Sequence, residues 1–323
     1  MMKRIIVSVV AVLICFGAAA GIWKVNQKVN RLSETVAQLQ ETGHFTAAND
    51  RTGYIPDLVP GKKGWKVTQF GDVSQMQEMC YTITTDTGLV IIDGGWEYEE
   101  PRLRNIITQY GNSVEAWILT HPHSDHMSAF LNIYEDPQGI QIHHIYTVDM
   151  PDYEILKSNA SWDDYTTLER FRSMKIPELE YVHKGDVLDI LGLRMEVLSA
   201  YDDKIDELSN DLMNDGSMMF RISGNRDSML FCADVGKSLT DYLIKEYGEK
   251  LQSDYVQMGH HGFGGPDSVF YEVADPKAVL FDAPHSLMSG EFEKSTVEKE
   301  ELIRSMGCVI YSYYTAPNQI LLE

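Results

Sequence analysis

His121-Pro122-His123-Ser124-Asp125-His126 packs three imidazoles and a carboxylate into six residues, directly after the apolar run Ala116-Trp117-Ile118-Leu119. The whole chain has only 10 histidines in 323 residues, so this density is not composition, and no packing requirement of a core produces it. Neutral imidazole and carboxylate are the usual ligands of zinc and neighbouring divalent metals. On an extended loop His121 and His123 alternate and converge on one ion. Asp125 and His126, one step on, face a second. A polar loop that happens to be rich in histidine is the bland alternative, and it makes no demand on the rest of the chain.

The metal reading does make one. Two ions need more ligands than one loop supplies, and these belong at other strand ends, where layered α/β folds assemble their sites. Three short apolar runs end suitably: Leu89-Val90-Ile91-Ile92 in Asp93-Gly94-Gly95, Ser228 to Ala233 in Asp234, and Tyr255-Val256-Gln257-Met258 in Gly259-His260-His261-Gly262. Each reads as a buried strand closed by a turn signal. Asp93 or Asp234 alone could be a turn or helix-capping aspartate. Adjacent histidines between glycines are hard to place in a core.

In this order the motifs resemble the metallo-β-lactamase superfamily, over roughly residues 64 to 323. Within it the chain looks most like the hydrolase domain of competence DNA-uptake channel proteins. The residues that carry this are Thr120 to His126, Asn214-Asp215-Gly216-Ser217 before a strand, Phe231-Cys232-Ala233-Asp234 and His260-His261-Gly262. The resemblance implies an α/β fold, an αββα four-layer sandwich. It assigns His121 and His123 to a first metal, and Asp125, His126 and one histidine of the 260/261 pair to a second, with Asp234 bridging. His260, first after the strand, is the expected ligand, with His261 facing substrate or supporting the shell; the reverse stays open. Asp93 is expected to support the loop by hydrogen bonding, as ligating imidazoles require. There is one departure. Many members place a further first-metal histidine after a strand such as Leu193 to Ser199, and here Ala200-Tyr201-Asp202-Asp203 and Asn214 to Ser217 contain none. His143, His144 and His183 lie in or beside other strands and read as ordinary histidines. An oxygen ligand at the first metal would widen the choice from zinc toward manganese.

The chemistry implied is hydrolysis by a metal-activated hydroxide, so no Ser or Cys need attack. Asp125 can orient that hydroxide as well as bind metal. His261 and His285 are the candidates for a general acid. The bond cleaved is expected to be a phosphodiester or another ester, with a β-lactam or lactone as the alternative. A binding or scaffold protein that keeps a partly degenerate site is the non-enzymatic reading. Ser124 and Ser217 lack a nucleophile-elbow pattern, and no phosphate-cradling P-loop is present.

Residues 5 to 23 are apolar or small throughout, behind Met1-Met2-Lys3-Arg4. That length just spans a bilayer core. The expectation is an uncleaved membrane anchor (1–23) with the catalytic domain outside the cytoplasm, or a signal segment cleaved near Ala18-Ala19-Ala20 to release a secreted protein. Val25, Val29, Leu32, Val36 and Leu39 continue a helical seam, so residues 24–63 read as a helical stalk and linker that could form a homo-oligomer through 25–40. The hydrolase domain is then 64–323. Cys15, Cys80, Cys232 and Cys308 show no metal or disulfide spacing and read as free thiols. A net charge of −21 with few basic clusters argues against a long nucleic acid as partner and leaves a smaller ester or phosphodiester substrate.

Overall fold

The structure, a computed structural model, describes residues 64–72, 74–291, 294–312 and 317–323. The expected anchor, stalk and seam lie outside the described residues. Among the described residues no helix is long and apolar enough to cross a membrane.

Two seven-stranded sheets form the body. The first contains β1 (Trp65–Gln69), β2 (Cys80–Thr84), β3 (Leu89–Asp93), β4 (Ser113–Leu119), β5 (Gln141–Thr147) and β6 (Leu179–Tyr181). The second contains β7 (Val187–Ile190), β8 (Leu193–Ser199), β9 (Met219–Ser223), β10 (Ser228–Phe231), β11 (Tyr255–Gln257), β12 (Ala278–Phe281) and β13 (Val309–Ser312), and β14 (Asn318–Leu322) returns to pair with β1. The meander β1-β2-β3 is antiparallel, and β3 through β6 run parallel. The second sheet repeats the arrangement, with β7-β8-β9-β10 antiparallel and β10 through β13 parallel. Among the parallel strands, β3 and β12 are nearly continuous apolar runs buried along their whole length, as cover on both faces requires.

Side-chain parity decides which face goes where. On β3 and β4, Val90, Ile92, Ala116 and Ile118 point into the core shared with Val197, Phe220 and Ile222 of the second sheet. Leu89, Ile91, Trp117 and Leu119 point the other way, under two helices, α1 (Glu100–Gln109) and α2 (Ser124–Glu135), that contribute Leu103, Ile106, Ile107, Met127 and Phe130. A slip of one residue in β4 would exchange these two sets, so the register is strongly specified. Next in the chain come α3 (Tyr153–Asn159), α4 (Thr166–Ser173), α5 (Asp203–Leu208), α6 (Leu212–Asp215), α7 (Thr240–Tyr247), α8 (Ser268–Ala274), α9 (His285–Met288) and α10 (Lys294–Ser305). Leu243, Phe270, Tyr271 and Ile303 of α7, α8 and α10 are buried with the second sheet, giving helix, sheet, sheet, helix.

Cys80, Cys232 and Cys308 are free and buried, and Cys15 lies outside the described residues. His143 and His144 lie on β5 and His183 just after β6, all exposed. One expectation is corrected: the histidine-rich stretch is not extended throughout. Ser124 opens α2, so Asp125 and His126 ride its first turn while His121 and His123 precede it.

Candidate metal centre

The C-terminal ends of β3, β4, β10, β11 and β12 meet at one rim of the sandwich. Asp93, the last residue of β3, is fully buried and has φ +53°. Its Oδ1 accepts from the Thr120 N–H at 2.7 Å, and its Oδ2 accepts from Thr120 Oγ1 at 2.7 Å and from His126 Nδ1 at 2.8 Å. Trp117 Nε1 donates to the Asp93 carbonyl at 2.7 Å. Next to it, Gly95 N–H donates to the His126 carbonyl, and the Gly95 carbonyl accepts from Ala129 N–H. The Asp-Gly-Gly turn is thus clamped to the first turn of α2. Because Asp93 takes Nδ1 of His126, Nε2 is free to point inward.

Around that nitrogen the other side chains gather. His126 Nε2 lies 3.4 Å from Asp234 Oδ1, 3.4 Å from His261 Nε2 and 4.0 Å from Asp125 Oδ1. His261 Nε2 lies 3.2 Å from Asp125 Oδ2 and 3.3 Å from Asp234 Oδ2. His121 Nε2 is 3.9 Å from Asp234 Oδ2 and 3.0 Å from His123 Nδ1. Two overlapping groups have ligand atoms close enough to share an ion: His121 with His126 and Asp234, and Asp125 with His126 and His261. A third, Asp72 with Glu78 and Glu99, is a buried acidic group in which Arg102 pairs with Glu78 at 2.7 Å and with Glu99 at 2.8 Å.

Of the histidine pair, His261 is the buried one, and it completes the second group. His260 is 22% exposed and stands 3.8 Å from Asp234 at the margin. The local backbone explains the exchange. His260, His261 and Gly262 have φ of +46°, +55° and +94°, so the chain doubles back and turns the second histidine inward. Such a run is costly for residues with a Cβ. It persists because Gly262 lies against Phe281, where a Cβ would come within 2.3 Å of the ring.

Charge and burial set the protonation of the cluster. Burial opposes the imidazolium of His261, yet Asp234 and Asp125 outweigh it and lift the group to about 10. Burial likewise opposes charge on His126, but Asp234, Asp125 and Asp93 raise it well above the ordinary value. Burial pushes Asp234 upward, and His261, His126 and His260 pull it well below the usual range. Asp125 is lowered in the same way, with His126 and His261 overcoming burial. His121 and His260 go the other way: burial drives both down, His260 to about 4. Protons on two imidazoles therefore balance two carboxylates where a divalent cation would do the same. Asp234 Oδ1 is buried and accepts no hydrogen bond. That orphaned atom and the converging nitrogens fit a metal.

Further residues support the cluster. Asp163, between α3 and α4, receives His123 Nε2 at 3.1 and 3.2 Å and fixes that ring as Asp93 fixes His126. Asn214 to Ser217 act as a brace: Ser217 Oγ accepts from the Asp234 N–H, and Met218 N–H donates to the Thr120 carbonyl. Asp215 accepts from the Gly236 N–H and from Ser209 and Ser238. Gln257 Oε1 accepts from both Cys232 N–H and Ala233 N–H at 2.8 Å, holding the turn before Asp234. The side chain of His285 lies outside the described residues.

Residues 73–200 match the family model of the metallo-β-lactamase superfamily. The match includes the histidine-rich loop and stops before Asp234. Among solved structures, the metallo-β-lactamase fold protein YhfI from Bacillus subtilis is 12% identical, over 80% of this chain and 99% of its own, with a TM-score of 0.50. CmlA, a diiron β-hydroxylase from Streptomyces venezuelae, is 13% identical over 82% of this chain, with a TM-score of 0.52, and the match spans 55% of CmlA. At these identities the likeness is one of fold. No curated protein matches the sequence.

Proposed function

We propose, from the match of residues 73–200 to the metallo-β-lactamase superfamily model and the geometry of the rim, that the rim cluster is the active site of a metal-dependent hydrolase acting on a phosphodiester or similar ester. The observation that carries this is the convergence of His121, His126, His261, Asp125 and Asp234 in two overlapping groups that share His126. His121 and His123 would hold the first ion, Asp125, His126 and His261 the second, and Asp234 both. His261 takes the place that chain order alone suggests for His260. Bound there, a divalent pair supplies an acidified water and polarises the bond to be cleaved.

The chain's own residues do the rest. Asp93 and Asp163 keep the His126 and His123 rings oriented, and the brace at Ser217 and Gln257 keeps Asp234 in place. Asp125, only 13% exposed at its side chain, is set to receive a hydrogen bond from the attacking water. His260, at the margin and neutral above about pH 4, carries no imidazolium proton to give a leaving group at neutral pH. Such a site suits esters whose leaving group departs without strong protonation. Preference for a phosphodiester is supported by the likeness of Thr120–His126, Asn214–Ser217 and His260–Gly262 to the DNA-uptake hydrolase domain. Location outside the cytoplasm is supported by the apolar run from Ile5 to Trp23 behind Lys3-Arg4.

The test is metal quantification on the full chain in detergent, coupled to turnover of bis(p-nitrophenyl) phosphate, a lactone and a β-lactam. About two ions per chain with phosphodiester turnover supports the reading. Lactam or lactone turnover alone moves the substrate class. No metal and no turnover leaves a scaffold. Asp234→Ala is expected to lose activity and metal together, and unchanged metal content in that variant removes Asp234 from the ligand set.

A further inference from the structure

The segment beside His123 carries an aromatic side chain that the proposed chemistry does not use. Ala160 to Asp163 form a tight turn, closed by Asp163 N–H donating to the Ala160 carbonyl at 3.1 Å. Its last residue reaches the centre, where the Asp163 carboxylate meets His123 Nε2. Its third residue, Trp162, stays in water. At 70% it is the most exposed large apolar side chain among the described residues. Among them its indole has no hydrogen-bond, ring or cation partner.

A lone apolar side chain on a surface is ordinary. Trp162 differs in how firmly its turn is built and in what that turn touches. Tyr165 Oη donates to the Leu156 and Ala160 carbonyls at 2.9 and 2.7 Å. Asn159 bonds the Ser209 carbonyl and the Leu212 N–H, across the turn from α5 to α6. Ser124, the first residue of α2, shares a hydrogen bond of 2.8 Å with Thr167 of α4. The backbone under the indole is thus fixed on three sides, and its Cα is about 3.8 Å from that of Asp163. A platform on such a backbone needs little ordering when a ligand lands on it.

Charge selects the ligand. Asp163 and Asp164 follow the indole, and Asp164 is exposed. Thr166 donates its N–H and its Oγ1 to Asp164 Oδ1, at 3.0 and 2.6 Å, which leaves Oδ2 to solvent. The nearest basic side chains along the chain are engaged elsewhere: Lys157 lies over the Tyr153 ring at 5.5 Å, and Arg170 pairs with Glu135 at 2.6 Å. An indole face next to a carboxylate attracts a cation on both counts. A second phosphate would be repelled, and a planar base would use the ring alone.

We infer that Trp162 and Asp164 form a subsite for a substituted ammonium group, so that the substrate is a zwitterionic phosphodiester with its phosphate at the metal centre and its cation at this turn. This rests on the reading of the rim cluster as a metal centre that takes a phosphoester. Trp162 sets specificity here and touches no reacting atom.

The test is titration calorimetry on the zinc-loaded full chain in an uncharged detergent, with phosphocholine, ethyl phosphate and phenyl phosphate as probes. Phosphocholine should bind about 3- to 30-fold tighter than ethyl phosphate. That ratio should fall toward one in Trp162→Ala and persist in part in Trp162→Phe. It should fall part way in Asp164→Asn, whose Oδ1 keeps both bonds from Thr166. Ethyl phosphate bound by the wild type as tightly as phosphocholine overturns the ammonium subsite and leaves the metal centre standing. So does a loss in Trp162→Ala that falls equally on both ligands, since the turn then only supports His123. Phenyl phosphate bound more tightly than phosphocholine, and through Trp162, makes the indole a platform for planar groups and also overturns the subsite. Binding of none of the three defeats the metal-centre reading itself, and this inference falls with it.

Discussion

Protons occupy the centre on the same terms as a metal would. In the metal-free cluster His261 is raised from 6.5 to about 10 and His126 is raised as well. A group whose folded value is raised stabilises the fold fully below its unfolded value and loses that contribution as pH climbs through the folded value. For His261 the loss runs from about 6.5 to about 10. Asp125 and Asp234 are depressed from 3.8, so their contribution is present above that value and fades as pH falls through the lower folded one. The metal-free protein should therefore draw most stability from this cluster between about pH 4 and 6.5. Zinc must displace the imidazole protons, so its affinity moves oppositely and rises with pH. Melting curves with and without zinc should show the metal-free midpoint falling above pH 6.5 while the increment due to zinc grows. Calorimetry in two buffers of different ionisation enthalpy should register proton release. An increment that does not change with pH would mean these imidazoles do not bind the metal through Nε2.

Turns at strand ends decide which of the expected residues reach the buried cluster. The strands that matter were legible from apolar runs closed by a turn residue: β3 ends at Asp93 and β8 spans Leu193 to Ser199, where each was expected. The choice between His260 and His261 was not legible, because it depends on consecutive left-handed residues that no local pattern of side chains announces. Asp163 was invisible for another reason. It reaches the site from a segment placed by tertiary packing, and a lone aspartate in a loop has no periodicity to betray it. Gly262 is the point where the turn can be tested. With φ +94° and Phe281 in the way, Gly262→Ala should destabilise the protein by about 2 kcal/mol or more. It should also weaken the second metal more than the first, because His261 is carried by the same turn. Thermal unfolding together with stepwise zinc titration checks both parts. Loss of stability with both metal affinities intact would show that His261 is aimed by something other than this backbone.

Across the whole molecule the site sits in an acidic field. Against 27 Lys and Arg stand 48 Asp and Glu, and the cluster itself contributes Asp93, Asp125, Asp163 and Asp234. Proteins that grip nucleic acid release counterions from its phosphates, so their affinity falls steeply as salt is added. A chain charged at −21 repels a polyanion, and salt screens that repulsion. The two substrate classes left open by the motif resemblance therefore predict salt effects of opposite sign. For a small anionic phosphodiester, kcat/KM should rise by about two- to threefold as sodium chloride goes from about 10 to about 150 mM, since screening over the Debye length removes an unfavourable approach. Single-stranded and duplex DNA should show no retention by the protein at either concentration. The same titration on a neutral lactone should be flat, which controls for effects of salt on the fold. A rate on the phosphodiester that falls steeply with salt would reveal a local basic track that overrides the net charge, and would return a long nucleic acid to first place among the substrates.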